Sequence, residues 1–145
     1  MLISTRGRYA IRVMTDMLEN EAEAEYIPLK EISGRLDISL KYLESIMSML
    51  SKGGLVSAAS GKGGGYRLVK KGNEYSLGEI LQLTEGNLDP VSCTGVGDMK
   101  CENGSGCHTR PIWEGLSKVI NGYLSNVTLE DLVEDNVPEI ELVRK

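Results

Sequence analysis

The chain has 145 residues, 41% hydrophobic and 26% charged, and no apolar run approaches the ~20 residues of a membrane-spanning helix. That length fits one domain, or a small domain with an appended dimerisation element. The net charge of −5 argues against a uniformly basic nucleic-acid binder, but it hides an asymmetry: residues 1–73 carry eleven Lys/Arg against eight Asp/Glu, and residues 74–145 five against thirteen.

Within residues 41–73 there are six basic residues and a single acid, Glu44. A local phosphate-facing surface needs that kind of concentration, and the total charge does not matter to it. The opening residues lack the basic-then-apolar order of a signal peptide, so a cytoplasmic protein is expected. The three cysteines all lie between residues 93 and 107. An odd count in a reducing compartment points to metal binding or redox chemistry rather than a disulfide scaffold. With no Phe and one Trp, the core must be largely aliphatic.

Residues 5–19 read as a helix with Tyr9, Val13, Met14, Met17 and Leu18 on one face. An acidic surface loop follows, Asn20 to Glu25, and Pro28 suits entry into a short helix from Leu29 to Leu36. After a turn at Asp37 and Ile38, Ser39 is a good N-cap for a third helix. Leu43, Ile46, Met47 and Leu50 form its buried stripe, leaving Lys41, Tyr42, Glu44, Ser45 and Ser48 outside, and Gly53–Gly54 ends it. Leu55–Ala58 and Tyr66–Val69 are two short β runs around a glycine-rich tip that carries Lys62.

Ser76 to Glu79 fits a capping box opening a helix that ends at Gly86. Residues 87–108 have no periodicity and hold every cysteine and the single His108. A long helix begins near Pro111, on which Trp113, Leu116, Ile120, Tyr123 and Val127 follow the heptad intervals of a pairing seam. Thr128 to Asp131 caps a last short helix, and residues 136–145 read as a loose tail. Four segments are therefore expected: a DNA-binding unit over 1–86, a cysteine-rich loop over 87–108, dimerisation and short C-terminal helices over 109–135, and the tail.

Helix, turn, helix and basic hairpin is the order of a winged helix-turn-helix, so the fold expected is mainly α with a small β wing and a long C-terminal dimerisation helix. A helix about 10 Å wide fits the major groove and presents its first residues to base edges. Those residues would be Ser39, Lys41, Tyr42, Glu44 and Ser45. Glu44 only accepts hydrogen bonds, so against DNA it either pairs with a cytosine amino group or repels a wrong base. In the hairpin, Gly63 and Gly64 let the backbone approach DNA, with Lys62 and Arg67 supplying charge beside Tyr66. No nucleotide-binding loop competes: the glycines lack the G-x-x-x-x-G-K-[ST] pattern.

The motifs Ser4-Thr-Arg-Gly-Arg-Tyr-Ala10, Ile38-Ser-Leu-Lys-Tyr-Leu-Glu44, Gly63-Gly-Gly-Tyr-Arg-Leu68 and Trp113-Glu-Gly-Leu116 occur in this order. They resemble the IscR-type family of iron–sulfur cluster transcription regulators, over nearly the whole chain. The resemblance implies a homodimeric winged-helix repressor or activator bound to a double-stranded operator, with cluster-assembly genes as targets and a cysteine loop holding a 2Fe-2S or 4Fe-4S cluster. It also places Glu44 where an acid helps discriminate two promoter classes. Ser60 stands where the family has a wing arginine that enters the minor groove, which leaves Lys62 to substitute.

Cys93, Cys101 and Cys107 are spaced C-x7-C-x5-C on a glycine-rich loop that could wrap a cluster through thiolate sulfur. A zinc site would use the same ligands, though the usual C-x2-C pairing is absent. For the fourth ligand, Arg110 occupies the place of the family's histidine, and Arg8 the place of an acid used by another branch. His108 is then the best candidate, with a water or an exogenous ligand as the alternative, and a nitrogen ligand beside three thiolates favours 2Fe-2S over 4Fe-4S. Two alternatives stay open: the same fold sensing zinc or thiol redox state, and a small redox protein that binds no DNA. No membrane or small-molecule substrate is expected. Nor is catalysis, since no Ser/His/Asp set, carboxylate pair or cofactor fingerprint occurs.

Overall fold

The computed structural model describes residues 2–92 and 106–141. Its elements run α1 (Thr5–Asn20), α2 (Leu29–Leu36), α3 (Leu40–Lys52), β1 (Val56–Ala59), β2 (Gly65–Leu68), a 3-10 turn (Gly72–Glu74), α4 (Leu77–Glu85), α5 (Arg110–Asn126) and α6 (Leu129–Val133). The architecture is mainly α with a two-stranded wing, as the sequence pattern requires.

Four of the helices start where the sequence supplies a side-chain partner for the orphan amides of the first turn. Ser4, Ser39, Ser76 and Thr128 accept from Gly7, Tyr42, Glu79 and Asp131 amides respectively. At Ser76 the expected reciprocal box is only half formed. The Glu79 carboxylate turns instead to Lys70, whose Nζ lies 2.8 Å away, because a charged partner outbids a neutral backbone amide. The reciprocal box forms in full at Thr128 and Asp131. Pro28 caps α2 without a side-chain bond, and Asp37 closes that helix in the left-handed region at φ 54°.

The core is the sum of the apolar stripes. Ala10, Val13, Met14 and Met17 of α1 meet Ile32 of α2 and Leu43, Ile46, Met47 and Leu50 of α3. Leu55, Val56, Ile80 and Leu129 close it, and Tyr75 is its one fully buried aromatic ring. Asp16 sits among these residues at 7% exposure and is neutralised by Arg35 of α2, whose guanidinium donates from Nε and Nη2 at 2.9 and 2.8 Å. This ion pair clamps α2 onto α1.

β1 and β2 pair antiparallel, with Val56 opposite Leu68 and Ala59 opposite Gly65. Ile27, which the local pattern marked only as restricted by Pro28, exchanges both backbone hydrogen bonds with Tyr66 at 2.8 and 2.9 Å. The wing is thus anchored at its far edge to the segment between α1 and α2. A second isolated bridge, Ser76 to Thr128, ties the start of α4 to the start of α6.

α5 differs from every other long helix in burying none of its residues. Ile112, Leu116 and Val119 are exposed, and Trp113, Ile120 and Tyr123 half-buried. Val127, expected on the same seam, is instead 1% exposed and enclosed by its own chain. Its carbonyl accepts from the Leu77 amide at 2.8 Å, so the C-terminal end of α5 is turned inward. Among the described residues no helix is long and apolar enough to cross a membrane. Residues 136–141 carry no regular structure.

Candidate nucleic-acid interface and cysteine loop

The first turn of α3 projects from the side opposite its buried stripe. Ser39, Lys41, Glu44 and Ser45 are exposed, whereas Leu43, Ile46 and Met47 are buried. Ser39 Oγ is occupied by the Tyr42 amide at 3.2 Å, and Ser45 Oγ donates to the Tyr42 carbonyl at 2.8 Å. Tyr42 is half-buried and meets Tyr9 of α1 edge-to-face, with ring centroids 5.8 Å apart. Its ring is held by the fold and only its outer edge is presented.

Lys41 and Glu44 have no ion-pair partner among the described residues, so the α3 surface shows one cation and one anion, both available. Leu40, 43% exposed at the first helical position, was not among the sequence candidates. Exposed leucine beside polar neighbours was the available signal, and its chemistry fits contact with a thymine methyl.

The wing presents Ser60 and Lys62 at an exposed tip. Gly63 adopts φ 77°, which a side chain rarely tolerates, and a Cβ at Gly65 would collide with the Ile27 carbonyl. Gly64 is equally constrained by the Ala59 carbonyl. These glycines close the tip and seat the wing on its anchor, besides leaving the tip narrow. Tyr66 packs against the core through the Ile27 bridge. Arg67 is exposed and partnered: its Nη1 lies 3.4 Å from Glu25 and its guanidinium 5.1 Å over the Tyr26 ring. Lys70 is likewise paired with Glu79, which leaves Lys41, Lys52, Lys62 and Lys71 as the cations of this region without an ion-pair partner among the described residues.

Farther along the chain, Cys107 and His108 lie just before α5. The Cys107 thiol is half-buried, with its Sγ 3.3 Å from the Thr109 hydroxyl. That hydrogen bond, with the Thr109 and Arg110 amides at the helix start, holds the thiol below its ordinary range and favours the metal-binding thiolate. His108 is exposed. Arg110, in the place of the family histidine, pairs with Glu114 at 2.7 Å. Cys93 and Cys101 lie outside the described residues. The segment leading to them is pinned to α5 as well: Leu88 is buried, and Ser117 donates to Asp89 at 2.5 Å. Among the described residues the loop offers one thiol and one imidazole as donors, and no three candidate ligands come together there.

A family model described as an iron-dependent transcriptional regulator, Rrf2, matches residues 3–135. The chain belongs to the Rrf2 family. The HTH-type transcriptional regulator IscR of Escherichia coli is 41% identical over 135 residues, covering 93% of this chain and 82% of the relative. Among solved structures, CymR, the global cysteine regulator of B. subtilis, superposes with a TM-score of 0.76 at 30% identity, covering 93% of this chain and 98% of that one. T. potens IscR gives 0.72 at 29%, covering 93% and 88%. This chain is thus an HTH-type transcriptional regulator similar to IscR, in a family of regulators rather than enzymes.

Proposed function

We propose that two copies of this chain, paired through α5, bind a pseudo-palindromic double-stranded operator in the cytoplasm, mainly as a repressor. Lys41, Glu44 and Leu40 read bases or phosphate from α3, with Ser39, Tyr42 and Ser45 shaping the same turn, and Lys62 meets phosphate from the wing. The observation that carries this reading is the coexistence of an outward first turn on α3 with a basic hairpin tip whose lysine has no ion-pair partner among the described residues. Two chains then place two such helices about one helical turn of DNA apart.

Cys93, Cys101 and Cys107, with His108, would hold an iron–sulfur cluster on the loop before α5, 2Fe-2S ahead of 4Fe-4S. When bound, the cluster supplies a signal, because its loss or change of oxidation state alters the charge held there. The chain's own part is to favour the thiolate of Cys107 and to anchor both ends of the loop on α5, the helix that pairs the copies. A change at the loop thereby reaches the spacing of the two DNA-reading helices. The genes of cluster assembly are the targets this reading favours, with control of affinity or specificity as the output.

A second reading has two observations in its favour: the likeness to CymR, a cysteine regulator, and the acidified Cys107 thiol. It keeps the DNA surface and makes the loop a thiol or zinc sensor. The absorption spectrum of anaerobically purified protein separates the two. Cluster ligation predicts bands between roughly 320 and 500 nm that vanish in Cys93→Ala, Cys101→Ala and Cys107→Ala. A wild-type spectrum indistinguishable from the variants would hand the point to thiol or zinc sensing.

A further inference from the structure

One phenol oxygen closes the base of the wing. Tyr75 is fully buried, and its hydroxyl donates to the Leu55 carbonyl at 2.6 Å while accepting the Val69 and Lys70 amides at 2.9 and 3.1 Å. A tyrosine hydroxyl has one proton and two lone pairs, so its capacity is fully used. Leu55 directly precedes β1 and Val69 directly follows β2. The same atom therefore grips both legs of the hairpin just past the last pair of the ladder, Val56 opposite Leu68.

The ring is held in turn. Lys70 Nζ sits 4.8 Å from its centroid and is fixed by both oxygens of Glu79 on α4, at 2.9 and 2.8 Å. The Tyr75 carbonyl accepts the Leu129 amide at 3.1 Å, beside the Ser76–Thr128 bridge, so this residue also reaches the C-terminal helices.

A two-stranded hairpin alone is marginal in water. At ~3.3 Å per residue the tip of this one lies roughly 15 Å from its base, so a tilt of about 10° displaces Lys62 by about 2–3 Å. That is enough to lose a phosphate contact. We infer that Tyr75 is a positioning residue for DNA binding, its hydroxyl fixing the base of the wing while its backbone carbonyl holds the residue to α6. The inference rests on the reading that the wing tip meets DNA through Lys62.

The test compares the dimer of wild-type, Lys62→Ala, Tyr75→Phe and the double variant on a mixed-sequence duplex of about 30 base pairs over a salt series. Lys62→Ala should weaken binding about three- to tenfold and make the slope of log affinity against log salt shallower by about one unit. Tyr75→Phe keeps the ring and should reproduce that change with unaltered helix content, while exchange of the Val69 and Lys70 amides accelerates and that of core amides does not. The double variant should match Lys62→Ala. Wild-type affinity and slope in Tyr75→Phe, additive losses in the double variant, or global unfolding of Tyr75→Phe would each overturn the inference. An unchanged Lys62→Ala would instead remove the wing reading beneath it.

Discussion

Replacing Leu116 by Asp on α5 should convert the protein from dimer to monomer or aggregate. Ile112, Leu116 and Val119 are 60%, 41% and 40% exposed on a helix that buries none of its residues in its own chain. Full burial of such a side chain contributes about 1.5–3 kcal/mol, so covering what remains exposed on these three, in both copies, contributes about 4–8 kcal/mol. Association costs about 4–15 kcal/mol, which these residues offset only at its lower end. The half-buried Trp113, Ile120 and Tyr123 must therefore join the seam, while Val127 cannot, its side chain being enclosed already. In Leu116→Asp each copy loses about 1 kcal/mol of burial and also strands a carboxylate against an apolar face, so the dimer should weaken at least ~100-fold. Sedimentation velocity at micromolar concentration, with circular dichroism to check the fold, reads this directly. A wild-type chain that sediments as a soluble monomer, or a Leu116→Asp dimer of unchanged affinity, would refute the reasoning.

Arg35→Leu leaves the Asp16 carboxylate buried without its cation. Because Arg35 retains 31% exposure, the cost should fall slightly below that of a fully buried pair, at about 2–4 kcal/mol by urea denaturation. Leucine at both positions should recover most of that, and a single-variant loss under about 1 kcal/mol would contradict the clamp. Glu44→Ala should leave binding to the best operator similar or tighter while relaxing discrimination by ~1–3 kcal/mol at one base pair. Competition against single-base operator variants shows it, and an unchanged preference profile would make Glu44 a plain surface acid.

The parts of this fold that were legible in the sequence are those whose causes are local. Ser39 and Thr128 cap their helices, and Leu43, Ile46, Met47 and Leu50 lie inside, because capping and helical periodicity act within a turn or two. What escaped depends on partners far along the chain. Nothing near Arg67 announces Glu25, nothing near Glu79 announces Lys70 as the stronger partner for its carboxylate, and nothing near Ile27 announces Tyr66. Tyr75 was passed over because a lone tyrosine between two elements has no pattern to belong to, yet its hydroxyl has three partners in the folded chain. The heptad spacing that enrolled Val127 continued one step past the end of α5, where the backbone extends and turns its side chain inward. The thiol spacing suggests a metal-binding loop, of which only Cys107 and His108, just before α5, fall among the described residues.

The central claim is that occupancy of the cysteine loop controls DNA binding. It is tested most directly by anaerobic binding isotherms of one preparation, before and after removal of its cluster, on a duplex selected by the loaded protein from a random pool. A coupling of about 1–3 kcal/mol, roughly five- to 150-fold in affinity or in preference between two duplexes, is the predicted result. Superimposable isotherms, with the cluster's presence and absence verified by absorption, would contradict the account.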